Sequence, residues 1–489
     1  MGRWQLIIAL EPDDRRPLYR QISTAIADGA RSGRLRPGEQ LPSTRALAEQ
    51  LGVHRNTVIS AYQELEAQGL LTGSPARGSF LSTELPEDRL GLPTPDQVGF
   101  PMTGPALPED PRHRRPGLLR LFGGVPEVRF LPQTDLARAF RQALRGAEGR
   151  RLADYGDPRG DRRLRVALAD LLSRARGMTV APESLLITQG AQQAIYLVAR
   201  SLLATGDRVA VEDLSYPNGC QALRLAGAEL LPIPMDASGI RVDLLEAEHQ
   251  RRPIRAVMLT PHHQYPTTVT LTADRREQLL RLAQAHRWMV IEDDVDHEFH
   301  YDGPPVLPLA SRDQGGNVLY VGTISKVLAP GLRIGYLAGP APALDRIERY
   351  RVYVDSEGAH LTERAVALLL EDGIVQRHVR RARRAYRLRR EVLAEALSRR
   401  LPDLKWSLPA GGLALWAEVP GTDVELWLEA GLAAGVAFHT ARRFAVDQQV
   451  RPFVRFGFGA LTEAELKEAV ARLVASRPPP RTALNRPKR

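Results

Sequence analysis

The stretch GTISKVLAPGLRIGY, residues 322–336, decides how the rest of the chain is read. It follows the apolar run NVLYV and places Lys326 among small hydroxyl residues, a setting suited to an amine that forms a Schiff base. Lysine is scarce in this arginine-heavy chain, where the others are Lys405, Lys467 and Lys488. Lys467 lies in a charged helical pattern, Lys488 in a Pro-rich basic tail, and Lys405 precedes a Trp beside a Pro-Asp turn. Each of those three suits a solvated amine, which leaves Lys326 as the outstanding candidate for covalent chemistry.

A Schiff base of the pyridoxal type needs an anion at its ring nitrogen, so that the ring can draw electrons from the imine. Upstream of the lysine, WMVIEDDVDHEF (288–299) supplies Glu292, Asp293 and Asp294 directly after an apolar strand. Taken alone, the same acidic cluster suits a metal site or a strand cap. A phosphate group needs hydroxyls, a cation and backbone N–H groups at a helix start. Thr323 and Ser325 flank the lysine strand, Arg333 follows it, and Gly190, Ala191 and Gln192 join the strand LLITQ to a helix. A lone Gly-Ala-Gln turn is weak evidence; in chain order with the others it describes a phosphate cradle.

Around these motifs, short apolar runs (LLIT, RVAVE, AVMLT, WMVIED, NVLYVGT) alternate with helical patterns, the signature of crossover units on a mostly parallel sheet. Residues 118–476 are therefore expected to form a large α/β domain. Residues 83–117 are rich in Pro and Gly without periodicity and are expected to be a linker, 12–82 a separate small domain, and the basic tail 477–489 disordered. A chain of 489 residues has room for such a multi-domain arrangement. It shows no apolar run of about 18 residues and so no membrane segment. Met1–Leu10 lacks the small-residue cleavage site of a secretory signal, so a cytoplasmic protein is expected. Cys220 is the single cysteine, which excludes an internal disulfide framework and agrees with a reducing compartment. The net charge of +10 permits nucleic-acid binding without locating it, and the arginine-rich stretch Arg377–Arg390 reads as the solvated face of a long helix.

The location comes from the N-terminal pattern. Leu18, Ile22 and Ile26 recur every fourth residue and mark one apolar face of a first helix ending at Gly33. Ser43 can cap the short helix STRALAEQL, which stops at Gly52, and His54 or Asn56 opens a second, with Val58, Tyr62 and Leu65 inward. Two short helices about a tight Gly turn make a helix-turn-helix, and LLTGSPARGSFLS reads as a two-stranded wing. Arg55, Asn56 and Thr57 stand at the start of the second helix, the part that enters a major groove in such motifs, with Arg45 and Arg77 beside it for phosphate or groove contacts.

The segments LYRQI, RLRPGEQLPSTRALAEQLGVHRNTVISAYQEL and ARGSF resemble the winged-helix domain of GntR-family bacterial regulators. That resemblance assigns DNA contact to Arg45, Arg55, Thr57 and the wing Gly78; His54 stands where the family often has Ser, which bears on operator sequence. The motifs YGDPRG, TQGAQQA, VEDLSYPNG, TPHHQYPT, IEDDVDHEF, SKVLAPGLRIGY and VRFGFG resemble a fold-type I, class I aminotransferase domain. The combination resembles the MocR subfamily of regulators over nearly the whole chain. It implies pyridoxal 5'-phosphate as cofactor, with Lys326 bearing the aldimine, Asp293 on the pyridine nitrogen and Tyr216 stacked on the ring. It places Gly190, Ala191, Gln192, Thr323, Ser325 and Arg333 on the phosphate, Tyr155 on the phosphate of a partner subunit, and Arg455 on the carboxylate of an amino-acid ligand. No metal is implied. The chain departs from the family pattern at Val295, where a tyrosine usually touches the ring hydroxyl, and at Thr268, where a Gly is usual; Tyr265 is the candidate to replace the lost contact.

The resemblance implies a homodimeric regulator of operator DNA whose large domain senses pyridoxal phosphate, an amine or an amino acid. A working aminotransferase with a DNA-binding appendage is the alternative, since nothing in the retained lysine, aspartate and arginine forbids half-transamination. A degenerate domain kept for dimerisation is disfavoured by the intact phosphate set.

Overall fold

The computed structural model describes residues 8–11, 14, 16–74, 78–83, 98–103 and 116–479, and its chain divides into two units, Met1–Pro111 and Arg112–Arg489. In the first unit, helices α1 (Leu18–Arg31), α2 (Thr44–Leu51) and α3 (Arg55–Ala67) precede a hairpin of β1 (Leu71–Ser74) and β2 (Gly78–Leu81). The stop and start signals act as the sequence implies. Ser43 accepts from the Ala46 N–H at 3.2 Å, Gly52 turns the chain out of α2 at φ 65°, and His54 Nδ1 accepts from the Asn56 N–H at 3.3 Å. Ile22, Ile26, Leu47, Val58, Tyr62 and Leu65 are buried together, and the Tyr62 hydroxyl donates to Pro42 O at 2.8 Å, tying α3 to the entrance of α2. Two expectations need correction. Leu18 is 43% exposed on the first turn, and α1 ends at Arg31, where the Ser32 hydroxyl bonds back to Asp28 O at 2.6 Å. Ile8, ahead of residue 12, is also part of this core.

The second unit is organised by a seven-stranded sheet. Its strands are β3 (Leu185–Thr188), β4 (Arg208–Glu212), β5 (Glu229–Ile233), β6 (Ala256–Leu259), β7 (Met289–Asp294), β8 (Val318–Thr323) and β9 (Gly335–Ala338). The spatial order is β3-β9-β8-β7-β6-β4-β5, with β9 antiparallel to both neighbours and the remaining pairs parallel. Strands such as LLIT, RVAVE and AVML are buried along their whole length, which is why they read as unbroken apolar runs. Helices α4 (Arg162–Arg176), α5 (Ala191–Leu202) and α6 (Pro217–Leu225) pack beside the sheet. A smaller antiparallel sheet follows, formed by β10 (Lys405–Trp406), β11 (Ala414–Glu418), β12 (His439–Thr440) and β13 (Phe453–Gly457) in the order β10-β11-β13-β12. It shares a core with the long helix α7 (Ile374–Arg400) and with α8 (Glu463–Ser476) through Tyr386, Leu393, Leu415, Phe456 and Val470. Among the described residues no helix is long and apolar enough to cross a membrane.

The solvated-face reading of the arginine-rich stretch holds for Arg377, Arg380, Arg383 and Arg387 and fails at its end. Arg389 and Arg390 are buried: Arg389 meets Glu127 at 3.3 Å and Glu463 at 3.2 Å, and Arg390 meets Asp302 at 2.6 Å. Arg477, assigned to the tail, pairs with Asp403 at 2.6 Å and lies over the Trp427 ring, so it belongs to the domain. Residues 480–489 lie outside the described residues.

After β6 the segment HHQYPTT is held by Gln264, whose amide donates to Glu212 at 2.9 Å and Leu214 O at 2.7 Å while its oxygen accepts from Thr267. Thr268 takes the left-handed conformation at φ 66°, with its N–H on Gln264 O at 2.6 Å. The turn therefore keeps the backbone a glycine would adopt, and a β-branched residue bears the strain. Thr268→Gly is expected to stabilise this unit by about 0.5–1 kcal/mol, the left-handed penalty less the entropy of glycine, read as a higher urea midpoint. A midpoint equal to or below that of Thr268→Ala would count against strain at this residue.

Candidate functional site

The parallel strands bring their carboxyl ends to one edge of the sheet, the usual place for a ligand in an open α/β fold. Gly190 follows β3, Tyr216 follows β4, His262–Tyr265 follow β6, Asp293 is the last residue but one of β7, and Lys326 follows β8. The register sets Thr323 opposite Gly335 and Gly335 opposite Thr188. A side chain at Gly335 would stand 2.6 Å from Gly190 Cα, and one at Gly190, which has φ 99°, would stand 2.9 Å from Arg333 Nη2. Both glycines are there because backbones and a guanidinium crowd this turn.

Arg333 donates to Gln189 O and so lies over the entrance of α5, where Gly190 and Ala191 present the first backbone N–H groups of the helix. Thr323 Oγ1 accepts from the Ser325 N–H at 3.1 Å and donates to Ile334 O at 3.3 Å. Ser325 Oγ is buried with no hydrogen-bond partner among the described residues. Gln192 is exposed and accepts from Asn218 at 3.3 Å. A cation, two hydroxyls and a helix N-terminus thus converge, as a phosphate requires.

The Lys326 side chain is half-buried, and its amine donates to Gly124 O. Burial pulls it down to about 8, the Arg455 charge adds to this, and Asp296 and Asp293 oppose it. The three acids of β7 have separate surroundings. Glu292 accepts from the Leu309 and Ala310 N–H groups at 2.7 and 2.9 Å. Asp294 pairs with Arg176 at 3.2 Å and accepts from the Tyr320 hydroxyl; these partners, with His297, outweigh burial and hold it below the usual carboxylate range. Asp293 Oδ1 is buried without a hydrogen-bond partner among the described residues, and burial and the Asp294 charge push the carboxyl up to about 7 against the attraction of Lys326.

Tyr216 meets Tyr265 edge-on at 5.9 Å, and burial pushes its phenol well up. Tyr265 packs on Phe444, and the Arg455 guanidinium lies 4.1 Å from its ring centroid. Arg455 is 1% exposed, and its Nε and Nη1 have no hydrogen-bond partner among the described residues. A buried guanidinium calls for an acidic partner, and the structure sets an aromatic face against it instead, leaving donors for an anionic ligand. Val295 is half-buried beside these groups in sequence. Tyr155 is 87% exposed, and among the described residues no hydrogen bond or ring contact joins its side chain to the cluster.

Two contributors escaped the sequence reading. Gly123 and Gly124 close the cluster: a Cβ at Gly123 would stand 2.6 Å from Arg455 Nε, and Gly124 O accepts from Lys326. The Gly-Gly pair just after the expected linker was the available signal. Glu212, pushed up to about 8 by burial, braces Gln264 and the Thr260 N–H, and nothing in its local sequence marks that role. The unpartnered atoms of Ser325, Asp293 and Arg455, with the amine of Lys326, fit the groups that pyridoxal phosphate and a carboxylate would supply.

In the first unit, Arg55 and Asn56 are exposed and Thr57 half-buried at the start of α3, and Arg55 Nε donates to Thr44 Oγ1 at 3.3 Å. Arg45 is exposed on α2, and Gly78 opens β2 at φ 96°. Arg77 lies outside the described residues.

Residues 124–473 match the family model for aminotransferase class I and II, and residues 18–81 match that for bacterial regulatory proteins of the gntR family. The HTH-type transcriptional regulator TauR of Rhodobacter capsulatus is 34% identical over 95% of this chain and 97% of its own. The probable rhizopine catabolism regulatory protein MocR of Rhizobium meliloti is 31% identical over 81% of this chain and 80% of its own. A solved structure, the kynurenine aminotransferase of Pyrococcus horikoshii, superposes with a TM-score of 0.69 at 30% identity, covering 74% of this chain and 90% of that one. The aminotransferase family and its structural neighbours imply dependence on pyridoxal phosphate. A GntR-type reader and an aminotransferase domain in one chain, with full-length relatives that are HTH-type regulators, make this protein a member of the MocR subfamily of GntR-family transcription regulators.

Proposed function

We propose that the protein binds operator DNA as a homodimer and that its large domain holds pyridoxal phosphate at Lys326 to sense that cofactor or an amine bearing a carboxylate or sulfonate. The observation that carries this reading is the set of buried polar atoms left without hydrogen-bond partners among the described residues, Asp293 Oδ1, Ser325 Oγ and the Arg455 donors, around one half-buried lysine. Pyridoxal phosphate, when bound, supplies an aldehyde for the amine and a ring that draws electrons. Lys326, held on Gly124 O at a lowered pKa, gives up its proton more readily than a solvated lysine and so supplies more of the neutral amine. Asp293 would hold the ring nitrogen, and a cationic partner there would draw the carboxyl back to its charged form. Arg333, Thr323, Ser325 and the Gly190-Ala191-Gln192 turn anchor the phosphate, and Arg455 takes the acid group of the effector.

The exposed Tyr155 and the 91% exposed Tyr353 support a subunit interface next to the site, with Tyr155 reaching the phosphate of the partner subunit. Sedimentation of the full chain is expected to give a dimer; a monomer throughout would refute that arrangement.

The central test uses a DNA duplex selected by the protein from a random pool. Its affinity is expected to change about fivefold or more on adding pyridoxal phosphate or an effector amine, and Lys326→Ala should abolish the change while leaving basal DNA binding intact. Sustained keto-acid production with no effect on DNA affinity would make the protein an aminotransferase instead.

Arg455→Ala should weaken carboxylate- or sulfonate-bearing amines by about 10- to 100-fold, on the order of 1.5–3 kcal/mol for a hydrogen-bonded charge. Simple alkylamines should bind the variant and the native protein equally, as followed by cofactor absorption; equal weakening of both classes would show that Arg455 does not read the acid group.

A further inference from the structure

Beside the lysine pocket, but separate from the residues assigned to it, four histidines from two short segments pack together: His262 and His263 after β6, and His297 and His300 after β7. The His262 and His263 rings lie 3.8 Å apart, and His263 and His300 stack at 5.3 Å with 9° between their planes. His262 is 4% exposed, and neither of its ring nitrogens has a hydrogen-bond partner among the described residues. A neutral imidazole always carries one N–H and one lone pair, so this ring leaves both a buried donor and a buried acceptor unspent, a costly arrangement. Nothing in the proposed cofactor chemistry uses them.

We infer that His262, His263 and His300 form a site for one divalent transition-metal cation of the zinc class. One nitrogen from each ring lies within 4.8 Å of the others. His263 Nε2 stands 3.0 Å from His300 Nδ1, close to the roughly 3.3 Å that separates two nitrogens bound to one tetrahedral cation at about 2.0–2.1 Å. The second contact that such sites use is already in place. His263 Nδ1 is 2.8 Å from Asp296 Oδ1, so the Nδ1–H donates to the carboxylate and the Nε2 lone pair is turned toward His300. On metal binding, neutral His300 shifts its proton from Nδ1 to Nε2, and the hydrogen bond between the two rings gives way to two metal–nitrogen bonds with no net change of protons. Three imidazoles leave a fourth position, and His300 lines a cavity of about 260 Å³ between α4 and α7 from which water or a further ligand can enter. Imidazole nitrogens without a carboxylate ligand select zinc, cobalt, nickel or copper over magnesium and calcium. The family resemblance implied no metal, and the two His-bearing segments lie over thirty residues apart in the sequence.

The test uses the full chain stripped with a chelator and kept free of pyridoxal phosphate, so that its outcome does not depend on the cofactor reading. Cobalt(II) titration should show visible absorption of nitrogen ligation saturating at one ion per chain, zinc should displace it, and magnesium should not. His262→Ala and His300→Ala should each weaken binding at least tenfold. His249→Ala, which alters the other close pair, His249 and His286 at 4.4 Å, should change nothing. Absence of a saturable signal, binding unchanged in His300→Ala, or binding lost in His249→Ala would each overturn the site. Should the variants fail to fold, the native chain answers the same question. Zinc is expected to protect His300 but not His249 from diethyl pyrocarbonate, and equal modification of both with and without zinc would overturn the proposal.

Discussion

The second unit depends on keeping a lysine amine, an aspartate and a guanidinium under one sheet edge without giving them full partners. Burying an unpaired ionised group costs on the order of several kcal/mol, and a chain does not retain three of them by accident of packing. The cost is visible in the lowered amine of Lys326 and the raised carboxyl of Asp293. It is absent one residue away, where Asp294 has Arg176 and Tyr320. Neighbouring aspartates on one strand point to opposite sides of the sheet, so one is available to brace the scaffold and the other to meet a ligand.

That bracing is extensive. Arg176 joins α4 to β7 and to Glu298, Gln264 joins the loop after β6 to β4, Arg389 fastens α7 to Glu127 and to Glu463 at the start of α8, and Arg390 fastens it to Asp302. Each buried arginine here has carboxylate or carbonyl partners, the condition under which such a charge is tolerated. Arg455 differs in that its Nε and Nη1 both lack a hydrogen-bond partner among the described residues and its guanidinium faces the Tyr265 ring rather than a carboxylate. The contrast within one protein is more telling than the burial of Arg455 alone, because it shows that the fold readily satisfies an arginine when nothing else is meant to.

Much of this was legible beforehand, for physical reasons that also set the limits. Fully buried strands read as apolar runs, and Ser43, Gly52 and His54 punctuate helices through local hydrogen bonds and dihedrals, so the order of elements could be read from short windows. Lys326 stood out because lysine is rare, and Asp293 because it follows an apolar run. What needs contacts distant in sequence was not legible. The pairing of Arg390 with Asp302, the closure by Gly123 and Gly124, the role of Glu212 and the meeting of His262 with His300 arise where separate strand ends converge. A window of a dozen residues contains none of those pairs. The solvated reading of Arg389 and Arg390 failed on the same ground, since the helical face that a residue occupies says nothing of the distant segments that later meet it.

A site left unsatisfied in this way is well matched to sensing. A ligand shifts a conformational equilibrium only by the difference in its affinity for the two states, so leverage requires interactions that one state makes and the other cannot. Lys326 follows β8, Tyr216 and Tyr265 come from the loops after β4 and β6, and Arg455 from the smaller sheet. An amino-acid ligand that engages the lysine and Arg455 together spans the seven-stranded sheet and the smaller one, whereas a plain amine engages the first alone. The geometry thus offers two grades of occupancy, cofactor by itself and cofactor with an acid-bearing ligand. Under the proposed function, the second bridges two sheets and draws on the Arg455 donors that the fold leaves unspent, which would give it the larger differential free energy with which to act on the rest of the chain.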